Sequence, residues 1–283
     1  MENGKLFHII LISFSLIIIA TPCAHGWGYE GHTAVCRIAQ ARLSKAAAAV
    51  VKKLLPAYAN GNLGALCPWA DTVKFRYPWS RPLHFINTPD HLCSYSYARD
   101  CIDKSGEKGF CLAGAINNYT NELLDYNKKK QQYNLTESLL FASHFMGDIH
   151  QPLHVGFTSD KGGNTINVKW FKRTTELHHV WDTDIIKKAQ GKGANATDMN
   201  GFSQWRNQVK GWVFCTLGCT NSYATESITA ACQWAYKGVQ SGSTLADTNI
   251  VADKYFNTRL PVVELRLAQA GVRLASALNQ IFT

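Results

Sequence analysis

Apolar side chains return every third or fourth position through much of this chain, which is the spacing of one buried face of an α-helix. Val35, Ile38, Ala39 and Leu43 set that rhythm, and an alanine-rich continuation of strong helix propensity extends it, so one helix is expected from Ala34 to Leu55. The same pattern predicts helices from about Leu112 to Lys129, from Glu137 to Ile149 with Thr136 as the cap, and from Leu177 to Ala189. Near the end, Leu260, Leu267, Leu274, Leu278 and Ile281 fall on one stripe of a long helix, which reads as a core helix. Only Thr165 to Phe171 alternates with period two, placing Ile166, Val168 and Trp170 on one face behind a Gly162-Gly163-Asn164 turn. The pattern therefore predicts a mainly α protein with one small β element.

Residues 1 to 26 break that rhythm. Lys5 gives a positive start, Ile9 through Ala20 form a short apolar run, and the small residues Ala24 and Gly26 close it, as in a secretory signal that is removed before Trp27. The run is shorter than the ~18 to 20 residues of a spanning helix, so no stable membrane association is expected. No linker, low-complexity tract or internal repeat divides residues 27 to 283, which are expected to form a single domain.

Export changes how the cysteines are read. Cys23 leaves with the signal, and the even remainder at 36, 67, 93, 101, 111, 215, 219 and 232 suggests disulfides. Zinc ligation by thiolates is the weaker reading because the sequence has no CxxC pair, and the CxxxC of Cys215 and Cys219 suits a short bridge. Sequons at Asn118, Asn134 and Asn195 fit passage through the secretory pathway, to the outside or to a vacuolar or other endomembrane compartment. The net charge of +9 suits polyanionic partners, and taken alone it equally suits simple solubility.

The candidate chemistry lies in histidine and aspartate. His144 and Asp148 are four apart in a predicted helix, as are His178 and Asp182, so each pair can converge on one ion. A hydrogen bond on a solvated helix face is the ordinary alternative. Here His144 lies on the stripe of Leu140, and His178 and Asp182 flank Val180 and Trp181, so burial is expected. Buried ionisable groups need partners or a metal. His154 behind Gln151-Pro152-Leu153, His84 between Leu83 and Phe85, and Asp71 behind Trp69-Ala70 are further candidates; singly, each is ambiguous, and a lone histidine in an apolar setting is more often a satisfied core residue than a ligand.

Taken in order, Trp27-Gly28-Tyr29-Glu30-Gly31-His32, Trp69-Ala70-Asp71, Leu83-His84-Phe85, His144-Phe145-Met146-Gly147-Asp148, Gln151-Pro152-Leu153-His154, Gly162-Gly163-Asn164 and Leu177-His178-His179-Val180-Trp181-Asp182 resemble the zinc-dependent S1/P1 nucleases, in particular their plant bifunctional branch. The resemblance implies a helical fold related to zinc phospholipase C, with three zinc ions. One ion would be held by Asp71, His84, His144 and Asp148, and a second by His154, His178 and Asp182. The third would take His32, a shared Asp148, and the α-amino nitrogen and carbonyl oxygen of Trp27, so that the site is complete only after the signal is cut. The disulfides Cys36–Cys67 and Cys101–Cys111 are suggested by proximity together with the same resemblance.

On this reading the chain is an endonuclease of single-stranded DNA and RNA that leaves 5′-phosphates, and also a 3′-nucleotidase, acting as a monomer. Asp71 would orient the nucleophile, and Lys74 would face the transition-state charge; sequence alone would favour an ordinary surface lysine there, and the motif position reverses that. Phe85 would stack a base, with Asn87 and Asn164 beside it; the family often carries Asp where this chain has Asn87, which leaves base preference open. His91, His150 and His179 receive no ligand role. A zinc phospholipase C and a non-catalytic secreted zinc-binding protein are the alternatives.

Overall fold

The computed structural model describes residues 26–103, 105–191, 218–239, 244–245 and 250–283; the leader, Asn195 and Cys215 lie outside them. Its main helices are α1 (Tyr29–Gln40), α2 (Lys45–Leu54), α3 (Leu112–Leu123), α4 (Leu135–Asp148), α5 (Ile185–Gly191), α6 (Thr220–Ala230) and α7 (Asp253–Ile281). Helix α4 is buried from Ser138 through Asp148 and is the centre of the molecule. Helices α1, α3 and α7 pack around it. Aromatic rings fill the α3–α4 seam, with Tyr119 stacked on Phe141 at 4.8 Å and Phe141 on Phe145 at 5.4 Å.

Helices α1 and α7 approach closely because Gly271 has no side chain: a Cβ there would fall 2.5 Å from Ile38 and 2.9 Å from the Val35 carbonyl. The stripe on α7 is largely as expected, with Leu267, Leu274, Leu278 and Ile281 buried and Leu260 half-buried.

The sheet is small. Strand β1 (Asn167–Trp170) pairs antiparallel with β2 (Arg173–Glu176) and, on its other edge, parallel with the two-residue β3 (Ile250–Val251). Val168 and Trp170 face the core and Ile166 packs beside it, while Asn167 and Lys169 face water.

Several boundaries differ from the periodicity. The helix expected from Ala34 to Leu55 is two, because Ser44 caps a new start by accepting from Ala47 N–H at 3.1 Å. Thr136 does not cap α4; Asn134 does, accepting from Glu137 N–H, while the Thr136 hydroxyl donates to the Leu54 carbonyl at 2.6 Å. The run expected to be helical to Lys129 ends in a 3₁₀ turn at Asn127. Between Leu177 and Ala189 the helix widens to a π turn over Val180–Asp184.

Disulfides join Cys36 to Cys67, Cys93 to Cys232, and Cys101 to Cys111. Cys219 is also disulfide-bonded. Among the described residues no helix is long and apolar enough to cross a membrane. Asn118 and Asn134 are both exposed.

Candidate metal centre

Helix α4 supplies the first two groups. His144 and Asp148 share its inner face, with Nε2 and Oδ2 3.3 Å apart and both side chains fully buried. The His144 Nδ1–H donates to the Cys67 carbonyl at 2.8 Å, and the Cys36–Cys67 bridge ties that carbonyl's residue to α1. A short helix, Trp69–Thr72, brings Asp71 Oδ1 within 3.5 Å of His144 Nε2. The 3₁₀ segment Pro78–His84 ends by presenting His84 Nδ1 2.9 Å from Asp148 Oδ2 and 3.8 Å from Asp71 Oδ1. Asp71, His84, His144 and Asp148 thus converge on one point.

The second cluster forms where the 3₁₀ turn Pro152–Val155 meets the helix that starts at Leu177. His154 Nδ1–H donates to the His84 carbonyl and His178 Nδ1–H to the Gly162 carbonyl, each at 2.6 Å. Gly162 holds that carbonyl in place with φ +65°, where a Cβ would strike the Leu153 carbonyl at 2.3 Å. With both Nδ1 atoms protonated, the Nε2 lone pairs of His154 and His178 face each other at 3.2 Å, and Asp182 Oδ2 lies 3.2 Å from His178 Nε2.

The third group is centred on α1. His32 stacks on His144 with ring centroids 3.7 Å apart, and its Nε2 is 3.2 Å from Asp148 Oδ1. Trp27 is wholly buried beside it. Gly147 leaves room for the imidazole, since a Cβ there would come 2.9 Å from His32 Nδ1.

These donor sets fit divalent cations of the zinc type. Metal-binding histidines commonly fix one ring nitrogen with a backbone carbonyl and turn the other to the ion, as His144, His154 and His178 do here. Two opposed imidazole lone pairs at 3.2 Å repel unless a cation or proton lies between them. Among the described residues, His32 Nδ1 and His84 Nε2 are buried without a hydrogen-bond partner, while His32 Nε2 and Asp148 Oδ1 lie 3.2 Å apart outside good hydrogen-bond geometry. Three triads, His32/His144/Asp148, Asp71/His84/His144 and His154/His178/Asp182, each bring their ligand atoms within 4.8 Å of one another.

Their protonation suits the role. Burial pushes His84 down to about 3, and burial is also the main cause lowering His32 and His154, so all three favour the neutral form that can bind a metal. Burial would lower His144 too, but the Asp148 and Asp71 carboxylates outweigh it and raise the ring to about 10. Burial likewise disfavours the Asp148 anion, yet His144 and His154 hold its carboxyl well below the usual range. A divalent cation would answer the same negative field, displacing the His144 proton.

Lys74 is not the surface lysine that its position also allowed: it is only 2% exposed, with Nζ 2.7 Å from Asp71 Oδ1. Phe85, Asn87 and Asn164 line one cavity of about 460 Å³ together with Leu153 and the cluster residue His178. The Asn164 amide N–H donates to the Lys161 carbonyl at 2.7 Å.

The remaining histidines among the described residues stay outside the clusters. His150 is buried between the Met146 carbonyl and Arg273, His179 pairs with Asp184, and His91 is exposed.

One participant had no role in the sequence reading. Gln151 is fully buried, accepts from Leu153 N–H and donates to Asp182 Oδ1, both at 2.5 Å. Its place in the Gln151-Pro152-Leu153-His154 motif was the available signal.

A helical fold thus sets buried imidazole and carboxylate clusters, donor sets that could hold divalent cations, beside an open pocket. The sequence model of the S1/P1 nuclease family matches residues 27–283, and the chain belongs to that family, whose members are zinc-dependent hydrolases of phosphodiester bonds. Endonuclease 2 of Arabidopsis thaliana is 54% identical over 100% of both chains. Nuclease S1 of Aspergillus oryzae is 31% identical, covering 96% of this chain and 97% of its own, and Nuclease P1 of Penicillium citrinum is 30% identical over 90% and 97%.

Proposed function

We propose that residues 27–283, freed of a signal peptide over residues 1–26, act as one catalytic domain: a secreted, monomeric, three-zinc endonuclease of single-stranded DNA and RNA. Its products carry 5′-phosphates, and 3′-nucleotides are also substrates. The observation that carries the reading is the adjacency of His178, a cluster ligand, to the cavity walled by Phe85, Asn87 and Asn164. That neighbourhood lets a base be held while its phosphate lies at the donors.

Asp71, His84, His144 and Asp148 would hold one zinc, His154, His178 and Asp182 a second, and His32, Asp148 and the freed Trp27 terminus a third. Bound there, zinc supplies the Lewis acidity that lowers the pKa of an attacking water and neutralises phosphoryl charge. Asp71 orients the nucleophile, itself oriented by the Lys74 ammonium 2.7 Å away. Lys74 in turn faces the charge that grows on the phosphoryl group. Phe85 stacks the base while Asn87 and Asn164 meet its edge, which demands a base that is out of a duplex.

Zinc-loaded mature protein should cleave single-stranded DNA and RNA well ahead of duplex DNA. Turnover of phosphatidylcholine without cleavage of DNA would overturn the proposal.

A further inference from the structure

Between Asp71 and Asp90 the chain carries no acidic residue, and the stretch after Lys74 reads Phe75-Arg76-Tyr77-Pro78-Trp79-Ser80-Arg81. Phe75 is 77% exposed and Trp79 49%, whereas most of the large rings among the described residues are buried or half-buried. This segment is held in place. Trp79 rests 5.7 Å from both Tyr77 and Phe141, and the Tyr77 hydroxyl donates to Glu137 at 3.0 Å. Arg81 folds back, its Nε–H donating to the Lys74 carbonyl at 3.3 Å and its guanidinium 5.6 Å from the centre of the Phe75 ring. Arg76 lies 5.8 Å from the Tyr77 ring. The result is a fixed ridge in which two exposed rings alternate with two arginines, beginning one residue after the lysine that binds Asp71.

We infer that this ridge is a second nucleic-acid surface, on which the single strand flanking the cleaved nucleotide lies, its bases against Phe75 and Trp79 and its phosphates at Arg76 and Arg81. The inference rests on the nuclease reading and extends it beyond the Phe85 cavity. Aromatic faces accept every base, guanidinium groups follow the backbone charge, and the two alternate along a single strand as they do along this segment. An anionic lipid surface is less well matched, because Arg76 and Arg81 interrupt the apolar face that insertion needs. The positive charge of the whole chain and the absence of acidic residues between Asp71 and Asp90, with Glu137 engaged by the Tyr77 hydroxyl, favour a polyanion.

The test compares zinc-loaded wild type with Phe75→Ala and with the double variant Arg76→Gln/Arg81→Gln. Binding to a hydrolysis-resistant 20-nucleotide oligothymidylate is followed by anisotropy against salt. Phe75→Ala should weaken binding about tenfold, and the arginine pair should lower the slope of log affinity against log salt by about 1 to 1.5. The ratio of KM for long strands to KM for a 3′-mononucleotide should rise in both. Wild-type affinity and slope in both variants would overturn the inference, as would losses confined to phosphatidylserine vesicles. A failure of the nuclease reading looks different: wild type itself would then cleave neither strand nor mononucleotide.

Discussion

Asp148 Oδ1 lies 3.2 Å from Nε2 of His32, while its other oxygen faces His84 at 2.9 Å. One carboxylate therefore joins the donors of α1 to those of the 3₁₀ turn that ends at His84. Gly26, the last residue of the expected leader, lies against the same carboxylate, and a Cβ on it would fall 1.5 Å from Asp148 Oδ1 and 2.7 Å from His32 Nε2. In the uncut chain the nitrogen of Trp27 is an amide, and Gly26 fills the approach to Asp148. Mature protein made with Gly26 retained should bind one zinc fewer than protein beginning at Trp27, and should lose at least about 100-fold in kcat/KM. Equal zinc content, with the N-terminus verified by mass, would sink the idea.

Gln151, fully buried, positions Asp182 by donating to its Oδ1. Gln151→Glu sets a second carboxylate against Asp182 Oδ1, where the amide now donates. Losing such a supporting partner typically costs about 10- to 100-fold in metal affinity. A chelator titration should show the ion of the His154/His178/Asp182 cluster weakened by that factor, with the others unaltered. Uniform weakening of all ions would mean that the substitution acts through the fold instead.

How much of this was legible beforehand differs from residue to residue. His144/Asp148 and His178/Asp182 were readable because a single helix turn fixes both partners of each pair. The junction of α1 and α2 was not, since the alanine-rich periodicity runs straight through Ser44 and only its hydrogen bond to Ala47 N–H marks the break. Cys93–Cys232 joins residues 139 apart, a pairing that tertiary packing decides and local spacing cannot. The burial of Lys74 was hidden for the same reason: its sequence neighbours Phe75 and Arg76 are exposed.

Behind the centre, Glu226 accepts from Arg273 Nη1 and Nη2 at 2.6 and 2.7 Å and from Arg266 Nη1 at 2.7 Å. Arg266 also donates to the His150 carbonyl at 3.0 Å, two residues past Asp148. Burial pushes the Glu226 carboxyl up, but Arg273 and Arg266 more than reverse it, so its pKa in the folded protein is lowered. A depressed carboxylate contributes stability that is complete above its unfolded value, about 4.3, and is lost as pH falls through the folded one. Denaturant titrations from pH 6 to 3 should show Glu226→Gln flattening that part of the curve. The variant should also cost about 1 to 3 kcal/mol at pH 7, discounted because Glu226 is partly exposed while Arg266 is buried. Parallel curves for variant and wild type would contradict the assignment.

Asn87 lines the Phe85 cavity with an amide that can both donate and accept, whereas a carboxylate only accepts. Asn87→Asp should therefore move preference toward bases that present N–H donors, changing kcat/KM ratios among the four homopolymers by about five- to 100-fold. Zinc content should stay the same, because Asn87 belongs to none of the ligand triads. Unchanged ratios would remove Asn87 from base recognition.

The most direct test of the shared-carboxylate centre is the zinc content of mature wild type beside Asp148→Ala, measured by elemental analysis on protein of verified fold. Three zinc ions per wild-type chain and about one in the variant, retained by His154, His178 and Asp182, is the expected result. Full zinc in Asp148→Ala together with undiminished cleavage of single-stranded DNA would contradict it.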